Sequence, residues 1–418
     1  MAVSGRTSVA QWLRSLGTFE SFKVPAYRLF FLGMVGQWAS FSMEGVARSY
    51  LVYDITGSQA KLGVLALAMA VPVLGLSLFG GALADRMSKK RLIQISQFGM
   101  CLVTLGTAVA ISVGYLGAAH PESWWVLVLS AVLTGTVMAV SMPSRQAIIP
   151  ELVGREQIMN AVSLNTMGMS LFQLIGPAVA GYFIQWFGYA AIYYLMAAIQ
   201  VIAIVATWFL PRMVPSPGER KSVVADVRAG FKYIVGHRTI FGVLFFVVVS
   251  ILFAMPYQMM MPVFAKDILK VGVAGQGTLM SFTGIGALAA SLLLASLPSR
   301  RRGFILLASN VLLGGSLLAF AFSVSWPLSL GMMVLVGIGR TANNTVGSTL
   351  LQAHVEPEYL GRVMSIMMMN MGLSSLGTFF AGVIGENIGA QWAIGGLAIA
   401  LGVISLVGFV PRRVRSLD

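Results

Sequence analysis

The sequence predicts an all-α integral membrane protein with twelve transmembrane helices arranged as two pseudo-symmetric six-helix bundles. Three observations lead to that fold class: long apolar runs, positive charge gathered into alternate gaps between the runs, and a repeat with a period of about 200 residues. The 418 residues are 57% hydrophobic and only 10% charged. Mean hydropathy is +0.84. Soluble domains carry nearer ~25% charged residues, so a soluble chain of this length has too little polar surface to cover its apolar mass.

The apolar runs place helices at 27–53, 60–84, 91–116, 123–149, 157–186 and 188–210, then at 238–265, 274–297, 303–325, 327–352, 360–385 and 390–410. At about 1.5 Å per residue each crosses a hydrocarbon core of about 30 Å. The runs are continuously apolar rather than alternating, a poor fit to a β-barrel.

With the N-terminus inside, 23 of the 28 Lys and Arg residues fall in inner segments, and Lys61, Lys266 and Lys270 are the outer ones. Arg48 and Arg340 fall within helices. This bias sets the orientation, with both termini cytoplasmic. It also accounts for the net charge of +14 through anionic lipid, without nucleic acid. Cys101 is the only cysteine, so no intrachain disulfide forms. No cleavable signal pattern is expected at the start, because the first apolar run is long enough to span.

Residues 1–26 read as a cytoplasmic interfacial segment, with Trp12, Leu13, Leu16 and Phe19 at helical spacing beside Arg14 and Lys23. Residues 27–210 form the first bundle, 211–237 a cytoplasmic linker, 238–411 the second bundle and 412–418 a tail. The linker opens on Pro211, Pro215 and Pro217, then shows Val224, Val227, Phe231 and Ile234 at helical spacing, predicting a surface helix. The repeat joins Asn160-Ala161-Val162-Ser163-Leu164 to Arg362-Val363-Met364-Ser365-Ile366 at an offset of 202, Ala180-Gly181 to Ala381-Gly382 at 201, and Pro211-Arg212 to Pro411-Arg412 at 200. Two parallel halves predict a substrate path on the axis between them.

After the second helix stands Gly81-Ala82-Leu83-Ala84-Asp85-Arg86-Met87-Ser88-Lys89-Lys90-Arg91. It resembles the signature loop of the major facilitator superfamily, with Ser88 in place of a second glycine. The resemblance implies a conformational latch formed by Gly81, Asp85, Arg86, Lys89, Lys90 and Arg91, with Asp85 facing an opposing helix N-terminus. The equivalent loop, Leu297-Pro298-Ser299-Arg300-Arg301-Arg302, keeps the positive charge without the acid. Tyr27-Arg28-Leu29-Phe30-Phe31-Leu32-Gly33, the run Pro143 to Val153, and Asn160 to Asn165 followed by Ile175 to Gly181 resemble the branch that contains the enterobactin exporter and macrolide efflux proteins. This branch implies the major facilitator fold and export. Gly176, Pro177 and Gly181 resemble the antiporter motif of drug–proton exchangers, or serve ordinary glycine-mediated packing.

An ionisable group inside a span costs about 2.5–3.5 kcal/mol on insertion scales and is a candidate for function. Glu44 and Arg48, at i and i+4, share a face of the first helix. They form either a proton-coupling site or a structural ion pair. Arg340 stands on the tenth helix, where the repeat puts Met138 in the first half. It is a candidate to hold an anionic group of the substrate, to pair with Glu44 across the cavity, or to reach the inner headgroups. Asn343 and Asn344 would continue a polar path. Gln37, Trp38, Tyr50, Asn165, Gln173, Tyr257, Gln258 and Asn370 are softer cavity candidates. The 25 methionines offer an adaptable surface or plain packing. The fourth helix carries no charge before Arg145, unlike the best-known drug antiporters, which leaves Glu44 as the main coupling candidate.

These residues predict a secondary active transporter working by alternating access. The leading expectation is a proton-coupled exporter of amphipathic organic molecules, drugs or siderophore-like metabolites. The alternatives are a facilitator or importer of a small anionic metabolite, and a non-transporting membrane sensor. Expected partners are a small-molecule substrate, protons and membrane lipid, with no nucleic acid, no cofactor and no metal; the chain is expected to be monomeric. Enzyme activity is not expected: His120, His237 and His354 fall at helix ends or loops, with no nucleophile–base cluster. No Gly-x-x-x-x-Gly-Lys loop exists to take ATP.

Overall fold

The computed structural model describes residues 19–211, 223–296, 301–368, 370–409 and 417, with side chains omitted at 77–86, 143, 223–228, 365, 368, 370 and 371. Of the expected interfacial segment 1–26, residues 1–18 lie outside the described residues, as do the tail at 412–416 and the prolines at 215 and 217; the described part is a 3-10 turn at Glu20–Lys23 that leads into the first helix at Pro25.

The described chain is helical, without strands among the described residues. Helix α1 is Pro25–Thr56, α2 Gln59–Arg86, α3 Lys89–Ser112, α4 Trp125–Leu152 and α5 Ile158–Trp208. Helix α6 is Val223–Gly236, α7 Arg238–Ala254, α8 Pro256–Val263, α9 Gly272–Ser296, α10 Arg302–Ala321, α11 Trp326–His354, α12 Pro357–Met368, α13 Asn370–Ile388 and α14 Ala390–Gly408. Eight helical stretches among the described residues are long and apolar enough to cross a membrane. One of them, 155–208, is 54 residues long and covers two expected spans. It breaks at Gly188, whose φ of +82° favours a residue without Cβ. Helices α1, α11 and α13 fall outside this set, and the first two carry Glu44, Arg48 and Arg340.

The positive-φ glycines Gly57, Gly114, Gly188, Gly272 and Gly389 stand in turns that follow odd-numbered spans, all at one end of the molecule. We call this the Asp54 end and the opposite one the Lys89 end. Helix α1 packs along α5, α2 along α4, and α3 against both α4 and α5. In the second half α11 packs on α9 and α10, and α10 on α14. Two seams join the halves, α5 with α9 and α2 with α13.

The seams are built on small residues. A Cβ on Gly277 would stand 2.2 Å from the carbonyl oxygen of Pro177, and one on Gly181 2.6 Å from that of Val273. On the other side, a Cβ on Gly382 would stand 2.6 Å from the carbonyl oxygen of Gln59, and one on Gly63 2.8 Å from the Phe379 Cα. Glycine at these places lets backbones touch, a common way to join membrane helices.

The apolar core shows how the halves meet. At the Asp54 end one continuous cluster runs through both, from Leu51, Leu62 and Ile184 to Tyr257, Phe264 and Leu279. At the Lys89 end it divides into two. One cluster, with Tyr27, Phe30, Ile93 and Ile148, belongs to the first half. The other, with Ile240, Leu306, Leu350 and Val363, belongs to the second. The helices therefore close together at the Asp54 end and separate towards the Lys89 end.

The linker helix is present as α6. It packs on α12 through Tyr233, which stacks on Tyr359 with ring centroids 4.2 Å apart and accepts from the Glu356 N–H at 3.3 Å. Ile234 is buried, whereas Phe231 is exposed. The two residues assigned by spacing to one apolar stripe thus take different surroundings. The side chains of Val224 and Val227 lie outside the described ones.

Candidate functional site

The central cleft is read from α11. Its buried residues, among them Gly337, Gly339, Asn343 and Gly347, press against α9, α10 and α7. The opposite face carries Arg340, Thr341, Asn344, Thr345, Ser348 and Gln352, all partly or fully exposed. A face of this composition is costly against lipid tails and belongs to a water-filled space. Arg340 lies midway along the helix, 14 residues from either end. Among the described residues it has no ion pair and no hydrogen bond. Its guanidinium is thus available to an anionic group in the cleft.

Asn343 and Asn344 separate. A step of one residue turns a helix by about 100°. Asn344 joins the exposed face, while Asn343 is 3% exposed and donates to the Asn310 Oδ1 at 2.6 Å. Asn310 donates in turn to the carbonyl of Phe246 at 3.2 Å, so Asn343 belongs to a clamp between α11, α10 and α7.

Glu44 and Arg48 sit inside the first half, 3% and 5% exposed. Arg48 donates to Glu44 and, at 2.8 Å, to the hydroxyl of Thr134 on α4. Thr134 donates to Glu44 at 3.3 Å, which closes a three-membered buried network. The Tyr193 hydroxyl of α5 lies against the Arg48 guanidinium. Glu44 is thus paired on its own helix and not with Arg340. Arg48 turns inward to Thr134 rather than outward to headgroups. Thr134 and Tyr193 were not singled out in the sequence. A hydroxyl carries no charge to flag it, and its partner is 86 residues away.

The softer candidates are spread out. Gln37 is buried with its amide oxygen unpartnered. Trp38 meets Phe31 edge-on at 5.6 Å and covers Gly168 of α5. Asn165 is half-buried with its amide oxygen unpartnered, and Gln173 is exposed. Tyr50 and Tyr257 are buried, and the Tyr257 hydroxyl accepts from Gln258 at 3.4 Å. The side chain of Asn370 lies outside the described ones. Arg145, counted beforehand among the inner-end charges, is half-buried on α4 with Nε and Nη2 unpartnered. Among the described residues no cluster could hold a metal ion.

Of the latch loop, the side chains of Gly81, Asp85 and Arg86 lie outside the described ones. Lys89 pairs with Glu151 of α4, and Arg91 is exposed. Lys90 donates to the carbonyl of Trp208 at 2.8 Å and to that of Leu210, which places a cation on the C-terminus of α5. In the glycine motif, Gly176 faces Ser42 of α1, whereas Pro177 and Gly181 meet α9 across the halves.

The Asp54 end is closed by polar bonds across the halves. Tyr53 donates to Asp267, and Lys266 pairs with Asp54 at 2.5 Å. Gln276 donates to the Ser49 hydroxyl at 3.0 Å. The carboxylate of Glu386 on α13 accepts from the N–H groups of Gln59 and Ala60 and from the Ser58 hydroxyl.

A family model described as transmembrane secretion effector matches residues 16–418. The chain is 25% identical over 388 residues to the staphyloferrin A transporter of Staphylococcus aureus, covering 92% of this chain and 94% of that protein. It is 26% identical over 416 residues to the enterobactin exporter EntS of Escherichia coli (strain SE11), covering 96% and 95%. Its fold matches the crystal structure of the nucleoside transporter NupG with a TM-score of 0.67 at 17% identity, covering 93% of this chain and 98% of that one. It also matches a bacterial homologue of the human lysosomal transporter Spinster, in an inward-facing and unoccupied conformation, with a TM-score of 0.69 at 14% identity, covering 95% and 97%. The likeness to both structures is one of fold.

Proposed function

Because this multi-pass membrane protein belongs to the transmembrane secretion effector family of the major facilitator superfamily, we propose that it exports amphipathic organic molecules by alternating access, coupled to protons. The observation that carries this reading is the core, continuous at the Asp54 end and divided at the Lys89 end. The charge bias supports a cytoplasmic Lys89 end. The cleft then opens inward, ready to load from the cell interior, in the inner membrane and with both termini cytoplasmic.

The substrate enters beside the polar face of α11, where Arg340 receives an anionic group. Siderophore-like molecules fit this role because they join apolar or aromatic parts to anionic metal-chelating groups. The relatives named as staphyloferrin A transporter and enterobactin exporter support that class. Glu44 takes and releases the coupling proton, with Arg48 and Thr134 holding its carboxylate form. The Gly81–Arg91 loop latches the cytoplasmic end in the opposite state, by resemblance. The chain works as a monomer in lipid, without enzyme activity or nucleic acid.

The test is flux into inverted vesicles driven by an imposed pH gradient, with enterobactin and staphyloferrin A as probes beside a panel of drugs in an exporter-deleted host. Export predicts uptake that collapses with the gradient. Intact pH-driven flux in Glu44→Gln removes Glu44 from coupling. A second reading, facilitated passage of a small anionic metabolite, is favoured by the unpaired Arg340; it predicts flux that ignores the pH gradient.

A further inference from the structure

The first half contains a second polar line, separate from the cleft. Tyr193, Gln200 and Thr207 stand at i, i+7 and i+14 on the part of α5 after Gly188, and are 1%, 0% and 1% exposed. At about 100° per residue they share one face within about 40°. That face meets α1 and α3. The Ser40 hydroxyl donates to the Met196 carbonyl at 3.4 Å, a Cβ on Gly36 would meet Ala203, and the Cys101 thiol reaches the Ala197 carbonyl at 3.7 Å.

Towards the Lys89 end the line is bonded. Thr207 donates to the Gln97 amide oxygen at 2.7 Å, Gln97 donates to the Gly33 carbonyl at 3.4 Å, and Gln94 donates to the Thr207 carbonyl at 3.3 Å. Towards the middle it is not. Both the oxygen and the nitrogen of the Gln200 amide are buried without a partner, and the Tyr193 hydroxyl above them has only the Arg48 guanidinium beside it. Burying such a group without a hydrogen bond is unfavourable. Lipid supplies no partner, and native proteins meet this need with ordered water.

We infer that Tyr193, Gln200, Gln97 and Thr207 hold a chain of water inside the first half, which carries protons between Glu44 and the Lys89 end apart from the substrate cleft. Glu44 and Gly33 are 11 residues apart on α1, about 16 Å along the axis, so the chain spans the inner part of the membrane. Loss of the proton breaks the O–H bond of the Glu44 carboxyl and forms one on the first water. Each water then passes a proton on as it receives one. The carboxylate left behind stays on Arg48 and Thr134. The amides and hydroxyls orient the water and do not titrate. Among the described residues Glu44 is met by Arg48, Tyr193 stands beside Arg48, and Tyr189 stands next to Tyr193 on α5; Cys101 and Lys90 of α3 lie further along. This inference rests on the proton-coupled reading above.

Hydroxyl-radical footprinting of the wild-type protein in proteoliposomes tests the water. Expected is rapid labelling of Tyr193 and Met196 despite their burial, at a rate within tenfold of exposed Tyr115; no labelling overturns the inference. Transport tests the role of the water. With entrapped pyranine and enterobactin as probe, Gln200→Leu should lower pH-driven flux at least tenfold and leave enterobactin exchange at equal pH within twofold. Tyr193→Phe should act in the same direction, and serves if Gln200→Leu does not fold. Wild-type flux in both variants overturns the proton role of the seam alone. A wild type without pH-driven flux overturns the coupling reading itself, and with it that role, while the footprint still judges the water.

Discussion

The backbone N–H of Gln59 donates to the carboxylate of Glu386 at 2.6 Å, so the first turn of α2 is capped by a residue of the other half. A helix start is electropositive, with N–H groups lacking intrahelical partners, and a carboxylate satisfies both needs. The cap exists only while the Asp54 end is closed.

Glu386→Gln should therefore favour opening at that end. Caps are worth about 1 kcal/mol, or roughly fivefold in population, and less where the group is exposed to solvent. Double electron–electron resonance between spin labels at Tyr115 and Val324 reads the change as a larger long-distance fraction. An unchanged distribution shows that the cap does not hold the closed state.

Gly277→Val should act more strongly in the same direction. The added Cβ would stand 2.2 Å from a backbone oxygen on Pro177, which no rotamer change relieves. The same label pair should show a shift to longer distance than in Glu386→Gln. Gly315→Val, at a glycine with open space around it, should leave the distribution unchanged.

Glu44→Leu combined with Arg48→Met should fold and melt within a few degrees of wild type, yet lose pH-driven flux. Breaking a buried pair on one side costs about 3–5 kcal/mol because a charge is left alone, whereas replacing both partners with apolar groups is often neutral. The single variant Glu44→Leu should then melt lower than the double. Thermal unfolding in detergent, followed by flux in vesicles, separates the structural role from the coupling role.

Arg340→Met should weaken transport of anionic probes about tenfold or more and leave neutral ones nearly unaffected. A charge-assisted hydrogen bond is worth about 1.5–3 kcal/mol, which sets that scale. Equal losses for both classes of probe would show that Arg340 shapes the cleft and does not read charge.

Much of the helical layout was legible in the sequence. Apolar length suffices for the spans when the solvent is a bilayer, and the break at Gly188 falls on the first residue of an expected span. The site was legible only in part. Glu44 and Arg48 declare each other by spacing, because both lie on one helix. Thr134 and Tyr193 do not, because their contact depends on how α1 faces α4 and α5. Asn343 and Asn344 look alike in the chain, and only the packing of α10 decides which is buried. Gln200 is an ordinary residue until both its amide atoms are found without partners.

The glycine seams between α5 and α9 and between α2 and α13 bear on speed as well as position. Larger side chains would interlock as ridges in grooves, and the two halves would have to disengage before turning. Backbones meeting over Gly181, Gly277, Gly63 and Gly382 have few such teeth to withdraw. On the alternating-access reading proposed above, exposed polar ties such as Glu386 on α2 are then the contacts whose editing should change turnover without disturbing the core.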